Sequence, residues 1–226
     1  MSEELKPTKT EKIENSDGTY TVKYVFENNQ DYLSQIELYT ADNKLLESDW
    51  YIDDSFNNIL TKEINNSEEN TTIIIRYYDE INTYKTEKIF YNEYDIVTKI
   101  EYYHDENLEK LYAIEEYEYL LFGIKQKTVF EQEHNGYFSC IEFCNLKGQI
   151  YKGISFYDRN YSNIYRTSKI KYLKNDNIII LRLYFKKQNA NYFSEIEKFD
   201  KNKNVVYKKR YKFKGLLAYI LFWFAK

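Results

Sequence analysis

The chain has 226 residues, among them 26 Tyr and 14 Phe but only 6 Gly and 1 Pro, and its net charge is −4. Aromatic and β-branched residues favour the half-buried surface of a pleated sheet, so this composition indicates an all-β protein. With so few glycines, a glycine-rich phosphate-binding loop is not expected. Residues 1–113 hold 25 acidic and 11 basic side chains, whereas 114–226 hold 11 and 21. Such an asymmetry is typical of proteins that contact charged partners.

The chain begins with a polar segment over residues 1–18. Its first twelve residues lack the apolar stretch of a secretory signal, so we expect a cytoplasmic protein. The first strand pattern follows at once, with the period of two that a sheet requires. Its inward-facing residues are Tyr20, Val22, Tyr24 and Phe26.

A repeat then occupies most of the chain. Four segments align without gaps, at residues 32–53, 84–105, 137–158 and 192–213. Each opens with Tyr and has Ser or Thr two residues later, a branched apolar residue thirteen residues on and an aromatic one nineteen on, and the opening tyrosines are 52, 53 and 55 residues apart. We therefore predict tandem units of about 53 residues.

Each unit has the pattern of a β-hairpin. In the first unit, Ala41-Asp42-Asn43-Lys44 separates two β-prone runs, and Asn, Asp and Gly at that place favour turns. Each unit also has a second pair of apolar runs, which gives about fourteen to sixteen strands. We predict a long, twisted antiparallel meander, with curling into a half-barrel, a closed barrel or a four-bladed propeller as alternatives.

Two segments allow other interpretations. Residues 106–122 are rich in Glu and partly match helical spacing, so a helix is the alternative there. The apolar run 216–225 is about half the ~20 residues that a membrane-spanning helix needs, so we expect no transmembrane segment and interpret the run as a cap that docks on the sheet. Contact with a membrane surface is its alternative. The predicted organisation is one repeat-built domain, with repeats over 19–213 and the cap over 214–226.

Several units close on aromatic residues followed by Asp, as in Tyr77-Tyr78-Asp79, Tyr102-Tyr103-His104-Asp105 and Phe156-Tyr157-Asp158. This pattern resembles the tyrosine and aspartate hairpin repeats of Rhs-type proteins and of MORN-variant antitoxins. A small cytosolic protein of such repeats also resembles the immunity proteins of bacterial polymorphic-toxin and contact-dependent inhibition systems. The resemblance implies a β-sheet scaffold that binds and neutralises a cognate toxin.

The sequence offers little for catalysis, so we predict no enzyme, no cofactor, no metal and no small-molecule substrate. His104 and His134 are interpreted as turn or solvent residues. Cys140 and Cys144 would share one face of a strand at about 13 Å, too far apart for a disulfide. A glycosidase that takes two carboxylates from distant strands is a third, weaker hypothesis.

Binding is the favoured function. Exposed aromatic residues beside charge are common anchors of interfaces, and carboxylates can occupy the basic cleft of a nuclease toxin. The predicted partner-binding residues are Trp50, Tyr51, Asp53, Asp54, Glu68, Glu69, Asp79, Glu80, Asp105 and Glu106. The alternative is a nucleic acid or anionic surface bound by the basic C-terminal half. Its candidate residues are Lys186, Lys187, Lys198, Lys201, Lys203, Lys208, Lys209 and Arg210.

Overall fold

The fold is described from a computed structural model, which covers residues 6–26, 31–77, 85–173, 176–185 and 193–212 together with Ile220 and Phe222. Its regular elements are sixteen β-strands. They are β1 (Lys9–Glu14), β2 (Tyr20–Val25), β3 (Ser34–Tyr39), β4 (Leu45–Tyr51), β5 (Ile59–Asn66), β6 (Thr71–Arg76), β7 (Thr86–Tyr91), β8 (Val97–Tyr103), β9 (Leu111–Leu120), β10 (Gly123–His134), β11 (Tyr137–Asn145), β12 (Ile150–Phe156), β13 (Ile164–Tyr172), β14 (Ile178–Tyr184), β15 (Ser194–Phe199) and β16 (Val205–Tyr211).

The strands follow one another in the sheet in the same order as in the chain, without a crossover. Because β1 and β16 stand at the two ends of this order, the pairing is that of an open meander and not of a closed barrel or of separate propeller blades. The predicted all-β antiparallel meander is therefore confirmed. The segment 106–122, for which a helix was the alternative, contains strand β9.

The chain divides into two compact units, residues 1–112 and 113–226. This boundary lies at the midpoint of the chain, so the first unit carries the excess of acidic residues and the second the excess of basic ones. The sequence analysis treats the chain as one repeat-built domain. No helix in the described part of the chain is long and apolar enough to cross a membrane.

The Ser or Thr of each repeat is fully buried. In the first three repeats its hydroxyl donates a hydrogen bond to the backbone carbonyl of the Asp nineteen residues later, at 2.5–2.7 Å, and so closes the unit. The pairs are Ser34 with Asp53, Thr86 with Asp105, and Ser139 with Asp158. This bond satisfies a carbonyl at the point where the chain leaves one hairpin, so the motif is structural.

The predicted hairpin turns all have one geometry. The fourth residue of each turn has a positive φ, between 57° and 72°, and is Asn43, Asp95, Gly148 or Lys203. In three turns the first side chain, Asn92, Asn145 or Asp200, accepts hydrogen bonds from the backbone amides two and four residues later. Asn and Asp favour this conformation because their short side chains bond the local backbone.

Both faces of the sheet stay partly open to solvent in the first unit. Neighbouring residues of a strand point to opposite faces, yet every residue of β8 is half-buried. In the second unit one face of β14 and β15 is covered. Ile179, Leu181 and Ile196 form a buried cluster there with Phe222 of the predicted cap.

The opposite face of β14 to β16 carries a buried ion-pair network. Glu195 and Glu197 flank Ile196 on β15, on the face opposite to it, and they are only 3% and 5% exposed although both are acidic. Arg182 and Lys208 each pair with both carboxylates, and Arg210 pairs with Glu195 at 2.8 Å. Burial opposes ionisation of Glu197, but its hydrogen bonds from Lys208 and Arg182 outweigh burial and lower its pKa.

The buried hydroxyl predicts a simple pair of variants. Ser139→Ala should lower the free energy of unfolding by about 1–3 kcal/mol, because the carbonyl of Asp158 loses its donor. Ser139→Thr should have a much smaller effect, since Thr86 makes the same bond in the second repeat. Urea unfolding followed by circular dichroism measures both, and equal losses for the two variants would contradict this role of the hydroxyl.

The ion-pair network predicts unequal effects of its cations. Arg182→Met should cost about 3–5 kcal/mol, because it leaves buried carboxylates without their least exposed partner. Lys208→Met should cost about 1 kcal/mol or less, since that side chain is 42% exposed and its ion pairs are screened by water. The midpoints of chemical denaturation decide between this expectation and an equal contribution of both cations.

Candidate protein-interaction site

Trp50 and Tyr51 lie next to each other on β4 and therefore point to opposite faces. Trp50 is half-buried and lies opposite Gln35 and Thr61. Tyr51 is buried, and its ring packs edge-on against Phe56 at 5.7 Å. Burial, and then the nearby Asp49, raises the pKa of Tyr51 to about 12. Tyr51 is therefore a structural residue, and Trp50 is the more accessible of the two.

Two of the predicted acidic residues organise the loops in which they lie. Asp53 accepts hydrogen bonds from the backbone amides of Ser55, Asn57 and Asn58. Asp105 accepts them from the amides of Glu109 and Lys110.

The third repeat has the same loop, where Asp158 accepts from the backbone amides of Asn160, Ser162 and Asn163. These hydrogen bonds, led by that from Ser162, lower the pKa of Asp158 to about 2. In each of these loops the residue three places after the Asp has a positive φ: Phe56, Leu108 and Tyr161. The carboxylates of Asp53 and Asp105 are thus occupied by hydrogen bonds within their own loops.

The meander separates the predicted site residues within the first unit. The loops that begin at Asp53 and Asp105 lie at one end of the strands, which we call the aspartate-loop end, and the repeat turns such as 40–44 lie at the other, the repeat-turn end. Glu68 and Glu69 belong to the turn between β5 and β6, at the repeat-turn end. A strand as long as β5 puts them about 25 Å from Asp53 and Asp54.

Asp54 and Glu106 are exposed at the aspartate-loop end, and Glu106 forms an ion pair with Lys85. Glu109, which sequence analysis did not select, is exposed in the same loop as Glu106. Glu69 pairs with Lys88 at 3.1 Å. Asp79 and Glu80 lie outside the described residues. The structure therefore brings Asp54, Glu106 and Glu109 to one end of the unit and leaves Glu68 and Glu69 at the other.

The basic residues of the alternative hypothesis are partly neutralised. Lys208 and Arg210 are held by Glu195 and Glu197, as described above. Lys209 points to the other face of β16 and lies over the ring of Tyr211. Lys201 and Lys203 are exposed in a turn, and Lys186 and Lys187 lie outside the described residues. The positions among them that the structure describes do not form one continuous stripe of available cations.

The histidines and cysteines have structural surroundings. His104 packs edge-on against Tyr112, and His134 stacks on Phe130 at 4.5 Å. Both cysteines are reduced, and burial raises the pKa of Cys140 to about 12, which keeps it a thiol. Within the described ranges no group of three His, Cys, Asp or Glu side chains is arranged to hold a metal ion.

Sequence analysis missed an exposed apolar patch on the second unit. Leu121 and Phe122, in the turn between β9 and β10, are 82% and 77% exposed, and Leu146 in the neighbouring turn is 78% exposed. The turns are adjacent because Gly123 pairs with Asn145. Contiguous exposed apolar side chains are typical of contact sites. Neighbouring turns of a meander become visible only once the strand pairing is known.

Comparisons with known proteins identify no relative. No protein-family model matches the chain, and a search of curated proteins finds no match either. The family resemblance noted from the repeat pattern therefore stays a prediction.

The hydrogen bonds around Asp158 predict a pH effect. Its folded pKa of about 2 lies below the ordinary value of 3.8, so its contribution to stability is complete above pH ~4 and disappears as the pH falls towards ~2. A carboxyl titration followed by NMR should give a midpoint near 2, and Asp158→Asn should remove this part of the acid dependence of unfolding. A midpoint at or above 3.8 would contradict the assignment.

Proposed function

We propose that this protein is a non-catalytic binding module that neutralises a cognate bacterial toxin, most simply a nuclease, as a cytoplasmic immunity protein. One observation carries this proposal. In a unit with 25 acidic and 11 basic residues, the exposed carboxylates of Asp54, Glu106 and Glu109 are presented by loops at one end of the strands. Clustered carboxylates complement the basic cleft with which a nuclease holds phosphates.

The loops are suited to this contact because their backbones are already ordered. Asp53 and Asp105 each bind amides of their own loop, so Asp54 and Glu109 are presented without further loss of backbone entropy. The loops at 53–58 and 105–110 are four strands apart, which is about 19 Å. This spacing lies within the footprint of an ordinary protein interface.

The exposed apolar patch of the second unit also supports binding to a protein partner. Leu121, Phe122 and Leu146 give a protein partner an apolar contact, which a purely electrostatic ligand would not need. The alternative, a nucleic-acid-binding protein, is less well supported because Lys208 and Arg210 are already paired with carboxylates. Each cation that is neutralised internally is lost to phosphate binding.

Charge reversal at one end of the first unit tests the proposal. The chain is co-expressed with a nuclease toxin domain, taken from the gene directly upstream where that gene encodes one, and growth protection is measured. In vitro, the double variant Asp54→Lys with Glu109→Lys should slow association with that domain about tenfold or more at low salt, because steering by the acidic end is removed.

The matched control reverses two exposed charges at the repeat-turn end, Glu68→Lys with Glu93→Lys. It changes the net charge equally and should leave the association rate within about twofold. Absence of growth protection by the unaltered chain would reject the immunity function. Equal slowing by both double variants would reject the aspartate-loop end as the contact.

A further inference from the structure

One face of the second unit contains a small depression of about 150 Å³. It lies over β11, β12 and β13. Four of its lining residues have small side chains, namely Cys140, Gly153, Ser155 and Ser168, and we call these its floor. Ile150, Ile154, Ile170 and Ile180 also line it. Its rim includes Glu142, Arg166 and Arg182. Register places these groups on one face, because Glu142 lies opposite Gly153, Gly153 opposite Ser168, and Ser168 opposite Arg182.

The depression arises where the third repeat departs from the others. The first repeat has Ser48 and Trp50 at the positions of Gly153 and Ser155, and the second has Ile100 and Tyr102. In the third repeat both positions are small, although a Cβ at Gly153 would have only ordinary contacts at 3.9 Å. Packing therefore does not require glycine at this place. The space above β12 is a property of this repeat alone among the four, since the fourth has Lys208 and Arg210 there.

Arg166 is held in position on one side of the depression. Its Nε lies 3.4 Å from the hydroxyl of Ser155, and its guanidinium lies over the rings of Tyr137 and Tyr165 at 5.4 and 5.7 Å. Within the described residues it has no carboxylate partner at ion-pair distance. A guanidinium that is fixed by stacking, with its outer N–H groups available, is a ready receptor for a carboxylate.

Glu142 stands on the other side, across β12 from Arg166. It is half-buried, and among the side chains that the structure describes it has neither a hydrogen bond nor an ion pair. Burial, followed by repulsion from Glu115, raises the pKa of Glu142, although Arg166 opposes this effect. A carboxyl in this situation gains free energy from any cationic group that reaches it.

The third charged residue of the rim, Arg182, does not neutralise Glu142. Arg182 is already paired with Glu195 and Glu197. The depression thus presents one carboxyl group and one guanidinium, on strands β11 and β13 with β12 between them, a spacing of about 10 Å between the strand axes. A simple anion would meet Glu142, and a simple cation would meet Arg166. A ligand with both charges satisfies both residues.

We propose that this depression binds a small zwitterion of the α-amino acid class, with its ammonium group at Glu142 and its carboxylate at Arg166. The hydroxyls of Ser155 and Ser168 line the same depression, where they can accept or donate a hydrogen bond. The small volume admits amino acids with short side chains, such as glycine and alanine. This binding function is separate from the neutralisation of a toxin and does not depend on it.

Titration of the full chain with glycine and with alanine, followed by ¹⁵N–¹H NMR, tests the proposal. The backbone amides of Gly153 and Ser155 should shift with saturation, with a dissociation constant on the order of 1 mM, because so small a ligand can gain only limited free energy. Acetate and methylammonium carry one half of the ligand each and should bind at least about tenfold more weakly.

Variants of the lining residues test which side chains bind the ligand. Glu142→Gln and Arg166→Gln should each weaken glycine binding about tenfold or more, whereas Lys169→Gln, which changes a charge on the opposite face of β13, should not weaken it. Gly153→Val should abolish binding by filling the depression with both charges retained. If Gly153→Val does not fold, Ser168→Val fills the same floor from β13. The proposal would be overturned if acetate or methylammonium bound as tightly as glycine, or if neither amino acid shifted these amides.

Discussion

The hydrogen bond between a buried hydroxyl and the carbonyl nineteen residues later is the constraint that closes the first three repeats. Ser34, Thr86 and Ser139 make it with the same geometry, and each is fully buried, whereas many of the strand residues around them are only half-buried. With little apolar surface to bury, such a sheet relies on satisfied backbone groups and cross-strand pairs for its register. The regular spacing of Ser or Thr after Tyr is therefore explained by the closing of each hairpin.

The carbonyl that receives this bond belongs to an Asp whose side chain has a second structural role. Asp53, Asp105 and Asp158 hold their loops by accepting backbone amides, so their charges are not available for a partner. The residue that follows Asp53 or Asp105 is exposed instead. A repeat that fixes its loops with one carboxylate can vary the next residue freely, and in the acidic unit that residue is Asp54 or Glu106. The residue that fixes the loop and the residue that can vary at the surface are thus neighbours in the sequence.

Charge in this protein has opposite uses in the two units. In the first unit carboxylates are in excess and several lie exposed in loops. In the second unit Glu195 and Glu197 are buried beneath Arg182, Lys208 and Arg210, where their role is to stabilise three strands. Retention of an ion network inside a sheet has little net effect on stability, although removal of one member is costly. Acidic side chains are therefore exposed in loops of the first unit and buried in ion pairs in the second.

The sequence by itself determined the class of fold, the four-fold repeat and the hairpin turns, because side-chain period and turn residues act over a few neighbouring positions. It also showed that the first half of the chain is acidic and the second half basic. Only the tertiary structure decided which groups lie together: it separated Glu68 from Asp54, buried Glu195 under Arg182, and placed the turns that carry Leu121 and Leu146 side by side. Those outcomes depend on strand register and on contacts between residues far apart in the chain, which local pattern does not encode.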